Sequence, residues 1–225
     1  MRTPDRIATF QGATGPKIEE TLIIEAWESR RLYDGTVTVA TTGETILVSG
    51  DGAANEILLK VNTTPDGDDG VPGIVVDTDT ALVIDGKRVR GGSYAFSTTP
   101  LESIKNFTVD FGSGNDFLRV SSDNLNRARS IFNGLDINGG NGNDRVELLC
   151  STTALRYLGG RGIDSLGIAS GITVYGNAEI RPGDGRDRIT IGNPAENSDV
   201  SVRGKLLVVD TNGPLALAAS TSTAA

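Results

Sequence analysis

GGNGNDRV at 139–146 and GGRGIDSL at 159–166 are two copies of one phrase, written twice more as GSGNDFL at 112–118 and PGDGRDRI at 182–189. Each copy places Gly-x-Gly-x-Asp before an x-apolar pair, which puts Asp116, Asp144, Asp164 and Asp187 in register. Gly accepts the positive φ that a reversing chain needs, and Asn and Asp accept it in part. A turn repeated in this way implies a repeated structural unit.

Successive aspartates lie 28, 20 and 23 residues apart. That spacing fits one turn per coil rather than turns run head to tail. Short apolar runs flank the turns: Phe107-Val109-Phe111, Leu118-Val120, Leu135-Ile137, Val146-Leu148, Leu166-Ile168, Ile172-Val174, Ile189-Ile191 and Leu206-Val208. Such alternation, punctuated by Gly and Asn, is a strand signal. Stacked coils would pair equivalent strands in parallel at about 4.8 Å and bury an aliphatic centre that no single coil covers alone. The expected fold is therefore all-β, a right-handed parallel β-helix or β-roll.

The phrase resembles the Gly-Gly-x-Gly-x-Asp-x-apolar-x nonapeptide of the calcium-binding RTX family from about Phe111 to Thr190. The second and third copies match every fixed position; Phe111 and Pro182 stand where the first and fourth would carry the leading Gly. A degenerate relative, SGDGAANEILL at 49–59, reads as lacking the Asp, with Ala54 in its place. The resemblance implies calcium as cofactor, with Asp116, Asp144, Asp164 and Asp187 as ligands beside Asn115, Asn143 and Asp184. As a ligand, the turn aspartate would join backbone carbonyls to give a hard cation its six to eight oxygens. As a structural residue it would accept hydrogen bonds from turn amides and hold the bend. Arg145, Arg161, Arg186 and Arg188 argue against the metal, since cations beside a turn pair with the Asp or repel calcium.

Composition narrows the function classes. The 225 residues include 29 Gly and are 37% hydrophobic but only 5% aromatic, which suits a thin aliphatic interior. A net charge of -8 opposes nucleic-acid binding, whose footprint is basic. With no His, the chain carries no Ser-His-Asp triad, Cys-His pair or His-ligated zinc. Cys150, alone and next to Leu148 and Leu149, reads as inert core packing. No stretch reaches the 18 apolar residues of a membrane span.

Four segments are expected. Residues 1–35 form a polar segment leading into TLIIEAWESRRLYDG, an amphipathic helix that caps the first coil or acts as a targeting element. Its run Glu28-Ser29-Arg30-Arg31-Leu32-Tyr33 resembles the Glu-x-Arg-x-Leu-Leu core of the LEPR-XLL segment of large exported bacterial surface proteins, with Trp27 and Tyr33 at positions usually Leu. Extracellular or surface localisation follows from that resemblance alone, because the start lacks the basic and apolar regions of a signal peptide. Residues 36–110 continue the strands as the first part of the stack. In this part, TTPDGDDGVPG at 63–73 is a flexible loop or, through Asp66, Asp68 and Asp69, a second cation site, and ALVIDGKRVRGGSYAF at 81–96 is a hairpin projecting around an Asp-Gly turn. Residues 111–213 form the repeat stack, and 214–225 a disordered tail.

Two functions follow. One is a non-catalytic calcium-binding repeat module of an exported or surface protein, structural or adhesive, whose partner would be a surface polysaccharide or another surface protein. The other is a carbohydrate-active β-helix enzyme similar in scaffold to pectate lyases, which use Asp-bound calcium and an Arg or Lys base; Asp184, Arg186, Asp187 and Arg188 would be its candidates. Sugar grooves need stacking aromatics, and only one Trp, four Tyr and six Phe exist. The non-enzymatic reading is therefore preferred.

Overall fold

Alternating burial sets the strands. Asn106–Asp110 turns Phe107 and Val109 inward and exposes its two ends, and the same period of two recurs through the chain. The computed structural model describes residues 35–42, 45–62, 73–78, 81–89, 92–97, 106–122, 134–192, 199–210, 216–219 and 221–222. Among these residues it is all-β, without a helix. The helix expected in 1–35, apart from Gly35, lies outside the described residues, as do Asp66, Asp68 and Asp69.

Three mostly parallel sheets are built from a few strands of each repeat. The first runs through β2 (Thr45–Ser49), β8 (Asn106–Asp110), β10 (Gly134–Asn141), β12 (Leu155–Gly162), β15 (Ala178–Gly185) and β18 (Leu206–Val208), every neighbouring pair parallel. The second runs through β3 (Glu56–Asn62), β9 (Phe117–Ser122), β11 (Arg145–Leu148), β13 (Ser165–Ile168), β16 (Arg188–Ile191) and β19 (Ala216–Ala219), again parallel throughout. A Gly-rich turn carries the chain from the first sheet to the second in every repeat from β8 to β16. A third, short sheet pairs β14 (Thr173–Val174), β17 (Val200–Val202) and β20 (Thr221–Ser222).

Parallel register stacks like on like. Val48, Val109, Ile137, Tyr157 and Ile180 form one inward column, and Ile57, Leu118, Val146, Leu166 and Ile189 another across the second sheet. All ten are buried, and each such side chain contributes about 1.5–3 kcal/mol by leaving water. Cys150 packs in the same core, and burial pushes its thiol up to about 12, in keeping with an inert role.

Two segments differ from expectation. The strands before β8 are largely antiparallel: β1 (Thr36–Thr42) against β2, and β4 (Gly73–Asp77) between β3 and β7 (Ser93–Ser97). The expected Asp-Gly turn joins β5 (Ala81–Ile84) to β6 (Lys87–Val89), with Asp85 at φ 45° and Gly86 at φ 78° as a two-residue primed turn requires. That hairpin does not project, because β5 pairs in parallel with β1 and buries Leu82 and Ile84. The tail expected to be disordered instead supplies β19 and β20, which add a rung to the second and third sheets. The backbone ladder offered by β16 and β17 gives those residues a partner that composition alone does not reveal.

Candidate metal site: a buried aspartate column

At each turn the sheet ladder survives as far as the second Gly of the phrase. Asn141 N donates to Gly112 O at 3.0 Å, and Gly142 N donates to Arg161 O at 2.8 Å. It resumes just after the aspartate, where Arg145 N donates to Asp116 O, Ser165 N to Asp144 O and Arg188 N to Asp164 O, at 2.8–2.9 Å. The two amides between have no carbonyl in reach, and buried amides left unpaired are costly.

Side chains from adjacent repeats supply the missing acceptors, in opposite directions. Asn115 Oδ1 accepts from Asn143 N at 2.8 Å, and Asn143 Oδ1 from Ile163 N at 2.7 Å, so the asparagines serve the repeat that follows. The aspartates serve the repeat that precedes: Asp144 Oδ1 accepts from Asp116 N, Asp164 Oδ1 from Asp144 N and Asp187 Oδ1 from Asp164 N, each at 2.9 Å. Asp116 Oδ1 accepts from Asn55 N at 2.7 Å and from Asn55 Nδ2 at 3.1 Å. Asn55, not Ala54, therefore occupies the aspartate position of the first repeat. The phrase there begins at Gly50, one residue later than the Gly-x-Gly pattern suggests, and ladder pairing of Ser49 with Asp110 fixes that register. A polar residue five positions after the leading Gly was the signal that would have found it.

Close stacking explains the glycines. Gly142 and Gly162 have φ of 131° and 141°, and a Cβ on either would overlap the carbonyl oxygen of the equivalent Gly in the preceding repeat. The leading position has no positive φ in any copy, which is why Phe111 and Pro182 are accepted there.

The four aspartates are buried, whereas Asn115, Asn143 and Asp184 are exposed at the turn surface. Asp116, Asp144 and Asp164 each keep a second oxygen, Oδ2, buried and without a hydrogen bond. Burial raises their pKa values, with amide hydrogen bonds opposing: Asp116 to about 6, Asp144 to about 7 and Asp164 to about 7. The neighbouring carboxylates add to the rise at Asp144 and Asp164. No ion pair joins the column among the described residues. Arg145, Arg161, Arg186 and Arg188 all point outward, and Arg145 instead pairs with Glu147 beside Arg119. The arginines thus neither neutralise the aspartates nor occupy their interior.

This donor set fits a hard cation in kind, being all oxygen, anionic and incompletely hydrogen-bonded. No three carboxylates converge among the described residues, so an ion would take carboxylate oxygens from one or two repeats and complete its shell with backbone carbonyls. The lyase candidates do not assemble: Asp187 is buried and bonded to the Asp164 amide, while Asp184, Arg186 and Arg188 are exposed. No helix among the described residues is long and apolar enough to cross a membrane. Comparison with known proteins finds no matching family model, no matching curated protein and no matching solved structure.

Proposed function

We propose that this chain is a non-catalytic, calcium-binding repeat module of an exported or cell-surface bacterial protein, stacked as a right-handed parallel β-helix of the RTX-like kind and serving a structural or adhesive role. The observation that carries the reading is the column of buried aspartates, each spending one oxygen on a neighbouring repeat's amide while at least three hold the other unpartnered. Stacked carboxylates at ladder spacing, about 4.8 Å apart, repel one another, and burial strengthens that repulsion. Protons or a cation must neutralise them.

Asp116, Asp144, Asp164 and Asp187, with carbonyls of their own and adjacent turns, are the residues that would hold calcium. When bound, the ion supplies the positive charge that the column lacks. Asn115 and Asn143 act beside it by holding the outer amides, and the exposed outer faces are left to contact a surface polysaccharide or another surface protein. The lyase reading has less support, because its carboxylate is turned inward, away from the exposed arginines.

Calcium titration followed by circular dichroism and thermal melting tests this. A rise in melting temperature at micromolar to millimolar calcium, absent with magnesium at equal concentration, is the expected result. An unchanged melt up to roughly 10-millimolar calcium, about tenfold above the Kd of the weakest extracellular sites, would leave the column purely structural.

A further inference from the structure

The first rung of the buried column is an asparagine, and its amide shows what that place in the turn demands. Asn55 Nδ2 donates to Ala53 O in its own turn at 2.7 Å and to Asp116 Oδ1 in the next repeat at 3.1 Å. Both neighbours are acceptors, so the amide nitrogen and not its oxygen faces them. A Cβ on the leading Gly50 would lie 2.8 Å from this nitrogen. The same construction at Gly139 and Gly159 meets Asp144 Oδ2 and Asp164 Oδ2, again at 2.8 Å. Asn55 Nδ2 and the Oδ2 atoms of the aspartates therefore hold equivalent places, and the ladder register agrees, stacking Glu56, Phe117, Arg145 and Ser165 just after them.

The chemistry of that place changes along the column. At the asparagine rung it holds a donor with two protons among oxygens, whereas at Asp116, Asp144 and Asp164 it holds an oxygen that is buried and without a hydrogen bond. Asp51 gives the difference a local reason. Its Oδ1, like Asn55 Oδ1, lies against Gly35, so a carboxylate at position 55 would have those of Asp51 and Asp116 as neighbours.

We propose that Asn55 ends the ion-binding part of the column, its amide protons taking the place that a calcium ion takes at the aspartate–aspartate steps. The Asn55–Asp116 step is thereby closed without metal. Replacing Asn55 with aspartate removes those protons and opens a further site for a hard cation, whose oxygens come from the new carboxylate, Asp116 and the Ala53 carbonyl. The proposal rests on the calcium reading.

Calcium ions bound by the full chain and by Asn55→Asp are counted by calorimetry in mildly alkaline buffer, and both proteins are melted in chelator and in millimolar calcium. The expected result is one more calcium per chain in Asn55→Asp, with a melting temperature below the parent's in chelator and a gap that calcium closes. Asn55→Leu removes the donor and adds no ligand, so it should lose stability equally in both solutions. An equal number of calcium ions in the parent and Asn55→Asp, or a gap in chelator that calcium leaves open, would overturn the proposal while leaving calcium binding by the parent intact. Absence of calcium binding in both proteins would overturn the proposal and the calcium reading together. If Asn55→Asp folds in neither solution, Asp116→Asn decides: it sets an amide one step further along and must bind one calcium fewer than the parent, and an unchanged number contradicts the proposal.

Discussion

An amide side chain already stands at one rung of the aspartate column. Asn55 takes the position that Asp116 takes in the next repeat, and the turn around it keeps its register. Asparagine retains an Oδ1 acceptor but carries no charge, so it separates the two tasks an aspartate performs here. Asp164→Ala removes the acceptor of the Asp144 amide and should cost about 1–3 kcal/mol with or without calcium. Asp164→Asn keeps that acceptor and removes one of the mutually repelling charges. In chelator at pH 8 it should melt no lower than the parent, yet gain less from calcium. Thermal melts of both variants, with chelator and with calcium, make the comparison; an Asn variant as damaged in chelator as the Ala variant would mean that the charge, not the hydrogen bond, holds the turn.

The strand-turn-strand element was legible because its constraints are local. Asp144 and Asp164 sit in complete phrases, alternation marked the flanking strands, and the expected parallel pairing at offsets of 28, 20 and 23 residues is the pairing found. What was not legible depends on partners distant in sequence. Asn55 reaches its place through a contact 61 residues away, and the antiparallel strands β1 and β4 pair with neighbours that their own residues do not announce. The turn glycines give this element its sharpest test. A side chain at Gly142 or Gly162 meets backbone carbonyl, which no rotamer relieves, at a φ that costs a further 1–3 kcal/mol or so. The Gly142→Val, Gly162→Val double variant should therefore lose well over the ~0.5 kcal/mol of an ordinary surface change. A denaturant midpoint equal to the parent's would mean that the turns do not stack.

At the scale of the whole molecule the column ties stability to pH and calcium together. In folded protein without calcium, Asp116, Asp144 and Asp164 hold protons up to pH 6–7, whereas in the unfolded chain they release them near 3.8. Between those limits the folded state binds more protons, so unfolding free energy falls as pH rises. The stabilising contribution is complete below about pH 4 and gone once pH passes through the folded values, near 7. Few other groups act in this window, since the chain has no histidine. Calcium competes with those protons for ionised carboxylates, so its stabilisation should be small at pH 5 and large at pH 8, growing with concentration as expected for a ligand of the folded state alone. Melting temperature in chelator should thus drop from pH 5 to pH 8, and millimolar calcium should flatten or reverse that slope. Surface pairs such as Glu147 with Arg119 and Arg145, where hydrogen bonds outweigh burial and hold the carboxylate low, lose their stabilising effect only in more acidic solution and leave this window untouched. A melting temperature in chelator that climbs steadily from pH 5 to pH 8 would mean that the buried carboxylates are already neutralised by something other than protons or calcium.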